Sequence, residues 1–275
     1  MNKLLRTSSL VCLPLFASLT ASADEIHQTA TLDRASGETG AGADLSFVSD
    51  FDEGFVSRLD LHGQWMHRSG FGAYGQLAVS RAFLDDNGLT EKIDDIAISN
   101  LEVGGQLERS LSKELSLVAH VGLTLPTSSD EIEPFLTNII SSQRRFNDLV
   151  NAIPNLTALR LGVSPTWTRG ALFARADLGV DVVVDSDLME TPDPIGHANL
   201  AVGMKSGKLS GAVEMVTMFQ TGDVSEDEDR FQHTAALSLR YDAGQFSPTL
   251  AIVSPLDDGG RGEVLTVGAG VSAKF

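Results

Sequence analysis

The chain has 275 residues, a net charge of -17 at pH 7 and a single cysteine. Because binding to phosphates depends on Lys and Arg, this acidic balance argues against nucleic acid as a partner. Beyond the N-terminus, no stretch approaches the roughly 20 apolar residues that a transmembrane helix needs. The chain is therefore either soluble or crosses a membrane as strands.

The N-terminus has the features of a secretory signal peptide. Lys3 and Arg6 precede a short apolar stretch at 10–19, and small residues at 21–23 form a cleavage site. We expect residues 1–23 to be removed on export. The polar residues 24–39 contain no periodic segment, and we expect them to form an N-terminal extension in the periplasm.

The only cysteine, Cys12, falls in this leader. Val11, which precedes it, does not suit lipoprotein cleavage, because that reaction requires a small residue there. We therefore expect a mature chain without a lipid anchor and without disulfides, even though an oxidising compartment would permit them.

From Gly40 to the C-terminus, apolar and polar residues alternate in about twelve segments. Successive side chains of a strand point to opposite faces, so each segment predicts a strand with one apolar and one polar face. The predicted strands are 40–48, 55–67, 71–83, 96–107, 115–125, 156–167, 172–184, 197–205, 209–219, 231–241, 246–254 and 263–275.

The connections between these segments alternate between short turns and long acidic loops. The short links are 67–70, 108–114, 168–170, 206–208 and 242–245, and the long ones are 49–54, 84–95, 126–155, 185–196, 220–230 and 255–262. Together with an even strand count and segments of about ten residues, this alternation is typical of a bacterial outer-membrane barrel. A soluble secreted β-sandwich is the alternative, but it leaves the alternation unexplained.

The distribution of charge supports the same interpretation. The long loops carry about as much negative charge as the whole chain, whose net charge is -17. The polar strand faces hold ions of both signs, which would be very costly in lipid but can pair or be hydrated in a barrel lumen. The predicted lumen-lining residues are Arg58, Asp60, His62, Glu102, His120, Arg160, Arg175, Asp177, Asp181, Lys205, Glu214 and Arg240.

The apolar strand faces must then contact lipid, and lipid cannot satisfy a free strand edge, so the first and last strands must pair. Aromatic residues beside the short turns are expected to form an interfacial girdle, with the members Trp65, Phe71, Trp167, Tyr241, Phe246 and Phe275. The predicted fold of 40–275 is an all-β, up-and-down antiparallel transmembrane barrel in the bacterial outer membrane.

The loop 126–155 is too long for a simple connector. Its apolar residues recur at intervals of three and four, as in the run Ile132, Phe135, Leu136, Ile139 and Ile140, which predicts an amphipathic helix. The helix could fold into the barrel mouth as a gate or plug, or rest on the rim at the outer-leaflet interface. We favour the rim, since the membrane offers an apolar stripe an obvious surface.

Motifs for catalysis and for cofactors are not evident, and we expect neither an enzyme nor a cofactor. A nucleophile needs a base within hydrogen-bond reach, and the local His-x-Ser stretch of outer-membrane phospholipases does not occur. His27, His67, His197 and His233 are expected to be isolated at turns, at rims or on the lipid side. The acidic stretches 225–230 and 185–193 lack the EF-hand pattern, so a solvated loop is favoured over a specific metal site.

The segment 122–129, GLTLPTSS, ends a strand with Leu-Pro-Thr before a long loop. With 173–184, FARADLGVDVVV, it resembles small outer-membrane barrels of the meta-pathway phenol-degradation or outer-membrane transporter type, although Ser128 replaces the usual glycine. The resemblance implies passive uptake of small, often aromatic or hydrophobic molecules and supplies no catalytic residues. Phe275 resembles the terminal aromatic that the outer-membrane assembly machinery reads in many barrels.

These observations predict passive passage of a small solute, either hydrophobic or cationic, through a narrow polar lumen. Twelve strands lie between the filled eight-stranded and the open sixteen-stranded barrels, and an acidic rim concentrates cations. The alternative is a closed structural or surface-binding barrel with a plugged lumen. Outer-membrane lipid and lipopolysaccharide, the latter bridged to the loops by divalent ions, are the other expected partners.

Overall fold

A computed structural model describes residues 29–32, 37–49, 54–84, 92–186, 193–222, 230–257 and 264–275. These residues form one antiparallel sheet that closes on itself into a barrel, with one helical segment in the longest loop. The predicted signal peptide 1–23 lies outside the described residues.

The sheet contains strands that match the predicted segments closely. Their bounds are β1 Gly40–Ser49, β2 Gly54–Met66, β3 Phe71–Leu84, β4 Ile93–Ile98, β5 Leu101–Ser110, β6 Leu115–Leu125, β7 Leu156–Arg169, β8 Leu172–Ser186, β9 Ile195–Ser206, β10 Leu209–Gln220, β11 Phe231–Tyr241, β12 Phe246–Pro255 and β13 Leu265–Lys274.

Each strand pairs with its neighbours in sequence, and β1 pairs with β13 to close the ring. This register runs from Gly40 opposite Lys274 to Ser49 opposite Leu265. β4 and β5 both pair with β3, one with its extracellular half and the other with its periplasmic half. They are two parts of one interrupted span, so the barrel has 12 strands, as the sequence predicts.

The predicted strand 96–107 therefore exists but is broken at Ser99–Asn100. On its other edge, β4 has no strand partner within the described residues. A helix lies there instead, and Asn138 Nδ2 donates to the carbonyl oxygen of Ile98 at 3.1 Å.

Alternation along the strands separates a polar interior from an apolar exterior. In β6, for example, inward Val118 and Thr124 are fully buried, whereas outward Val121 and Leu123 are exposed. The same pattern leaves Leu59, Leu178, Leu237, Val267 and many other large apolar side chains exposed around the outer wall. Exposed apolar surface of this extent is stable only when lipid covers it.

Short turns join the strands at the periplasmic end, and some use glycine where the backbone needs positive φ. Gly170 and Gly207 have φ of 63° and 60° in the turns after β7 and β9. A side chain is disfavoured in this region, whereas glycine adopts it at little cost.

The loop between β6 and β7 contains α1, Ile132–Ser141, followed by a 3₁₀ segment, Ser142–Ala152. Pro134 lies in the first turn of α1, where its missing N–H is not needed. The backbone angles of Arg145 and Asp148 are not helical, so the 3₁₀ segment is kinked there. No helix in the described part of the chain is long and apolar enough to span a membrane.

Candidate functional site

The inner wall of the barrel carries the charged residues that the strand alternation placed there. Most are almost completely buried, because other parts of the chain fill the lumen. The buried ones are Arg58, Asp60, Glu102, His120, Arg160, Arg175, Asp177, Asp181 and Glu214, and the partly buried ones are His62, Lys205 and Arg240.

The loop helix lies inside the barrel, and the prediction that it rests on the rim is wrong. We call residues Ile132–Ala152 the plug. Its 3₁₀ segment contacts β1, β7, β10, β12 and β13, which lie on different sides of the ring. Its buried residues are mostly polar: Thr137, Asn138, Ser141, Ser142, Arg144, Arg145, Asn147, Asp148 and Asn151.

The apolar stripe of the plug also has partners inside the barrel. Leu136 and Ile140 pack on Val48, Val56, Ala82, Leu84 and Ile93, which form an apolar patch at the extracellular end of the inner wall. The middle of the stripe that suggested a membrane surface is therefore covered by the wall, whereas Ile132 at its start remains 66% exposed. The apolar face of the plug meets this patch. Its polar face meets the charged residues around Arg160 on the inner wall, which we call the charged zone.

Arg160 on β7 is the centre of the charged zone. Its Nε and Nη2 donate to the two carboxylate oxygens of Asp181 at 2.8 Å and 3.0 Å. Its Nη1 lies 2.9 Å from Asp148 Oδ1 of the plug and 3.2 Å from Glu102 Oε2 of β5. One buried guanidinium on β7 thus joins the plug to β5 and β8 as well as to its own strand, through charge-assisted hydrogen bonds of the strong class.

A second ion pair holds the plug against the opposite wall. Arg144 Nη2 lies 3.2 Å from Asp44 Oδ1 of β1, and His62 Nδ1 lies 3.7 Å from the other oxygen of Asp44. The guanidinium of Arg144 rests on Gly268, where an added Cβ would be 2.7 Å from Nη1. The glycine therefore makes room for the plug at the β13 wall.

Amides complete the contact between plug and wall. Asn151 donates to Glu102 Oε2 at 3.0 Å and accepts from the Thr124 hydroxyl at 2.9 Å. Asn199 of β9 donates to Asn147 Oδ1 at 3.1 Å. The plug is thereby held by hydrogen bonds on several sides of the lumen.

His197 belongs to this network, so its expected isolation at a rim or on the lipid side is wrong. It is buried, and its Nε2 lies 2.7 Å from Asp181 Oδ2. Strand alternation already places His197 on the same face as Asn199, but only the pairing of β8 with β9 brings it beside Asp181.

Two further ion pairs lie along single strands. Arg58 and Asp60 of β2 are 3.0 Å apart, and Arg175 and Asp177 of β8 are 3.1 Å apart. In each pair the two residues are separated by one position and therefore share the inner face.

The N-terminal extension also enters the barrel, at residues 29–32, whereas the sequence placed the whole extension in the periplasm. The backbone N–H groups of Ala30 and Thr31 donate to the Glu214 carboxylate at 3.0 Å and 2.8 Å. Leu32 packs on Ala201 and Val216, and Arg145 Nη1 donates to its carbonyl oxygen at 3.1 Å. This segment and the plug are thus in direct contact.

The predicted girdle residues all have exposed side chains, and they lie beside the short turns. Their exposed fractions range from 36% for Trp167 to 78% for Phe275. They are Trp65, Phe71, Trp167, Tyr241, Phe246 and Phe275. Their role at the lipid–water interface stays a prediction.

Among the described residues, no group of at least three His, Cys, Asp or Glu is arranged to hold a metal ion. The two acidic stretches considered for divalent ions, 225–230 and 185–193, lie largely outside the described residues. Their ion binding stays a prediction.

The fold is shared with known channels, although no protein-family model and no curated protein matches the chain. A COG4313 outer membrane channel from Pseudomonas putida F1 superposes with a TM-score of 0.63 at 13% identity, covering 89% of this chain and 100% of that one. The NanC porin gives 0.54 at 12% identity over 86% and 100% of the two chains. A KdgM porin in complex with disordered oligogalacturonate gives 0.51 at 10% identity over 85% and 99%. With its apolar outer wall and charged lumen, this chain is a small β-barrel of the bacterial outer membrane.

Proposed function

We propose that the protein is a gated channel for the passive movement of a small solute across the outer membrane, without enzymatic activity. In this proposal the plug, which occupies the lumen, is the gate, and the channel conducts when the plug moves away from the wall. The names of the similar structures, which are channels and porins, support the proposal at the level of the fold.

The observation that carries the proposal is the polar nature of the surface between plug and wall. Arg160, Glu102 and Asp181 on the wall face Asp148 and its neighbours on the plug. A permanently closed interior does not need such groups, because replacing buried ion pairs by packed apolar residues is often neutral or stabilising. The charged side chains of the wall, by contrast, can be hydrated by water when the plug moves away.

Two classes of solute remain, and different observations support them. The acidic long loops favour cations, which a negatively charged rim concentrates. The resemblance of 122–129 to the meta-pathway phenol-degradation type favours small aromatic or hydrophobic molecules. The two classes are separated by adding a solute of each class to a planar bilayer and comparing its effect on the ionic current.

The alternative function is a closed structural or surface-binding barrel. The number of ion pairs and hydrogen bonds that cross the lumen favours it, since several must break before the plug moves. In that case the loops, together with lipopolysaccharide or another surface partner, would carry the function.

A disulfide between plug and wall separates the two functions. The hydroxyl oxygens of Ser80 on β3 and Ser141 on α1 are 2.7 Å apart, and both residues are buried. Cysteines at these positions bring their sulfurs close to the roughly 2.05 Å of a disulfide bond. The predicted mature chain has no other cysteine, so S80C/S141C gives one defined cross-link.

We expect oxidised S80C/S141C to show no channel openings in planar bilayers, and reduction to restore the openings seen with the natural sequence. The single variants S80C and S141C, which cannot form the cross-link, are the controls and should not respond to oxidant. If the oxidised pair conducts like the natural protein, the plug is not the gate. If the natural protein never conducts in any solute tested, the closed barrel is the better description.

A further inference from the structure

Asn100 occupies an unusual position in the barrel wall. It lies at the break between β4 and β5, where the interrupted span leaves the ladder, and its side chain is completely buried. The backbone around the break is satisfied from nearby: Ser99 N donates to Ala78 O at 2.9 Å, and Thr127 Oγ1 accepts from Leu101 N at 2.8 Å. The break is thus a fully hydrogen-bonded feature of the fold.

The carboxamide of Asn100 holds the chain on both sides of the plug. On the outgoing side, Oδ1 accepts from the backbone N–H groups of Thr127 and Ser128, both at 2.9 Å. On the returning side, Nδ2 donates to Ile153 O at 2.6 Å, and the backbone N–H of Asn100 donates to Asn151 O at 2.7 Å. One residue of the wall therefore connects both ends of the loop to the same point.

The chemistry of these contacts requires asparagine. Two N–H donors converge on one end of the side chain and a carbonyl oxygen on the other, so the amide orientation is fixed by its partners. Aspartate keeps the acceptor but has no donor for Ile153, and serine is too short to reach both sides. A side chain without the amide would leave buried backbone groups unpaired, and each unpaired buried group destabilises the fold by its full desolvation free energy.

Most of the other plug contacts lie between the ends of the loop. Arg144, Asn147 and Asp148 contact the wall from within the 3₁₀ segment. Thr127, which accepts from Leu101 N, and Asn151, which donates to Glu102, support the two ends that Asn100 also holds. Fixed ends determine the direction in which a loop leaves the sheet, because they limit the positions that its middle can reach. The ends held by Asn100 direct the plug inward.

We propose that Asn100 is the positioning residue of the plug: by holding Thr127 and Ser128 together with Ile153 at the strand break, it places α1 and the 3₁₀ segment inside the lumen. The inference rests on the proposed function, since it assigns the residue that keeps the gate closed. The position of the plug can nevertheless be measured by cross-linking, which does not depend on whether the barrel conducts ions.

The test compares the rate of cross-linking between plug and wall. In the S80C/S141C background, N100A should form the disulfide about tenfold more slowly than the parent, because loss of the buried amide contacts frees the plug from its position. The matched control is N155G. Asn155 lies at the end of the same loop and has a φ of 49° that glycine tolerates. Within the described part of the chain, its side chain makes a single long hydrogen bond, of 3.5 Å, to Asp130. It should cross-link at the parent rate.

Folding of the barrel is checked by the heat-dependent shift in electrophoretic mobility of each variant. If N100A does not fold, N100D replaces it. This variant keeps the oxygen that accepts from Thr127 and Ser128 but loses the donor to Ile153, and about a threefold slower rate is expected. A folded N100A or N100D that cross-links at the parent rate overturns the inference.

Conductance separates this inference from the proposed function. Slower cross-linking together with more frequent openings supports both. Slower cross-linking in a variant that, like the parent, shows no channel openings supports the role of Asn100 and contradicts the channel. An unchanged cross-linking rate contradicts the role of Asn100, whatever the current shows.

Discussion

Replacing the plug, residues 132–152, by a short glycine-serine linker should raise the single-channel conductance at least about tenfold, since a 12-stranded barrel freed of its plug has a continuous lumen. The linker is geometrically reasonable because β6 and β7 are adjacent strands, and Thr124 lies opposite Ala158 at the last paired position before the loop. A short hairpin connection is then sufficient. The charged wall that the plug leaves behind becomes hydrated and lines the pore.

The measurement is planar-bilayer recording of the plug-free variant and of the natural protein at the same salt concentration. Oxidised S80C/S141C serves as the closed reference. Heat-dependent electrophoretic mobility shows whether the barrel has formed. A folded plug-free barrel that conducts no better than the oxidised reference would show that another element blocks the lumen. The N-terminal residues 29–32, which contact Glu214 and Arg145, would then be the next to remove.

The alternation of side chains was sufficient to predict the barrel and its strand number. Period-two patterns report only which face of a strand a side chain occupies, and in a barrel the two faces have different solvents. Arg160 and Asp181 could therefore be placed in the lumen from sequence alone. Their contact required the register of β7 with β8, in which they lie directly opposite.

The position of the plug could not be predicted in the same way. Its apolar stripe would be covered equally well by lipid or by the apolar patch around Val56 and Ala82 at the top of the inner wall. The deciding information is the density of polar residues from Thr137 to Asn151, since an interfacial helix has no need to bury so many amides and charges. The partners of those residues lie on the barrel wall, and they can be identified only once the position of the wall is known.

The break at Asn100 is a different case. The segment 96–107 is predicted as a single strand, yet its apolar positions change phase at the break, from Ile96 and Ile98 before it to Leu101 and Val103 after it. The break is caused by the side chains of Asn100 and Thr127, which replace ladder hydrogen bonds with contacts to the loop. Local propensity does not report such long-range competition for backbone groups.

R160M should destabilise the protein by about 3–5 kcal/mol, the usual cost of removing one partner from a buried ion pair. Arg160 is the cation shared by Glu102, Asp148 and Asp181, and its side chain is 5% exposed. Methionine fills a similar volume but leaves these carboxylates close together. Arg145 still pairs with Asp148 and His197 with Asp181, whereas Glu102 loses the ion pair that it makes with Arg160.

The measurement is the free energy of unfolding in urea, from barrels refolded in lipid vesicles. The matched control is R81M, because Arg81 pairs with Asp94 at 3.5 Å on the same barrel but both side chains are about half exposed. Exposed pairs are worth about 0–1 kcal/mol, so this variant should unfold almost like the natural protein. R160M combined with E102Q should recover part of the loss, since one of the unpaired charges is then removed.

The same substitution should also weaken the closed state. Asp148 is the plug residue that Arg160 holds, and without the guanidinium the carboxylates of plug and wall repel each other. R160M is therefore expected to open more often in bilayers than the natural protein, and E102Q in the same chain should reduce this opening. If R160M matches R81M in both stability and openings, the network is hydrated and the plug is held by its other contacts, of which Arg144 with Asp44 is the strongest candidate.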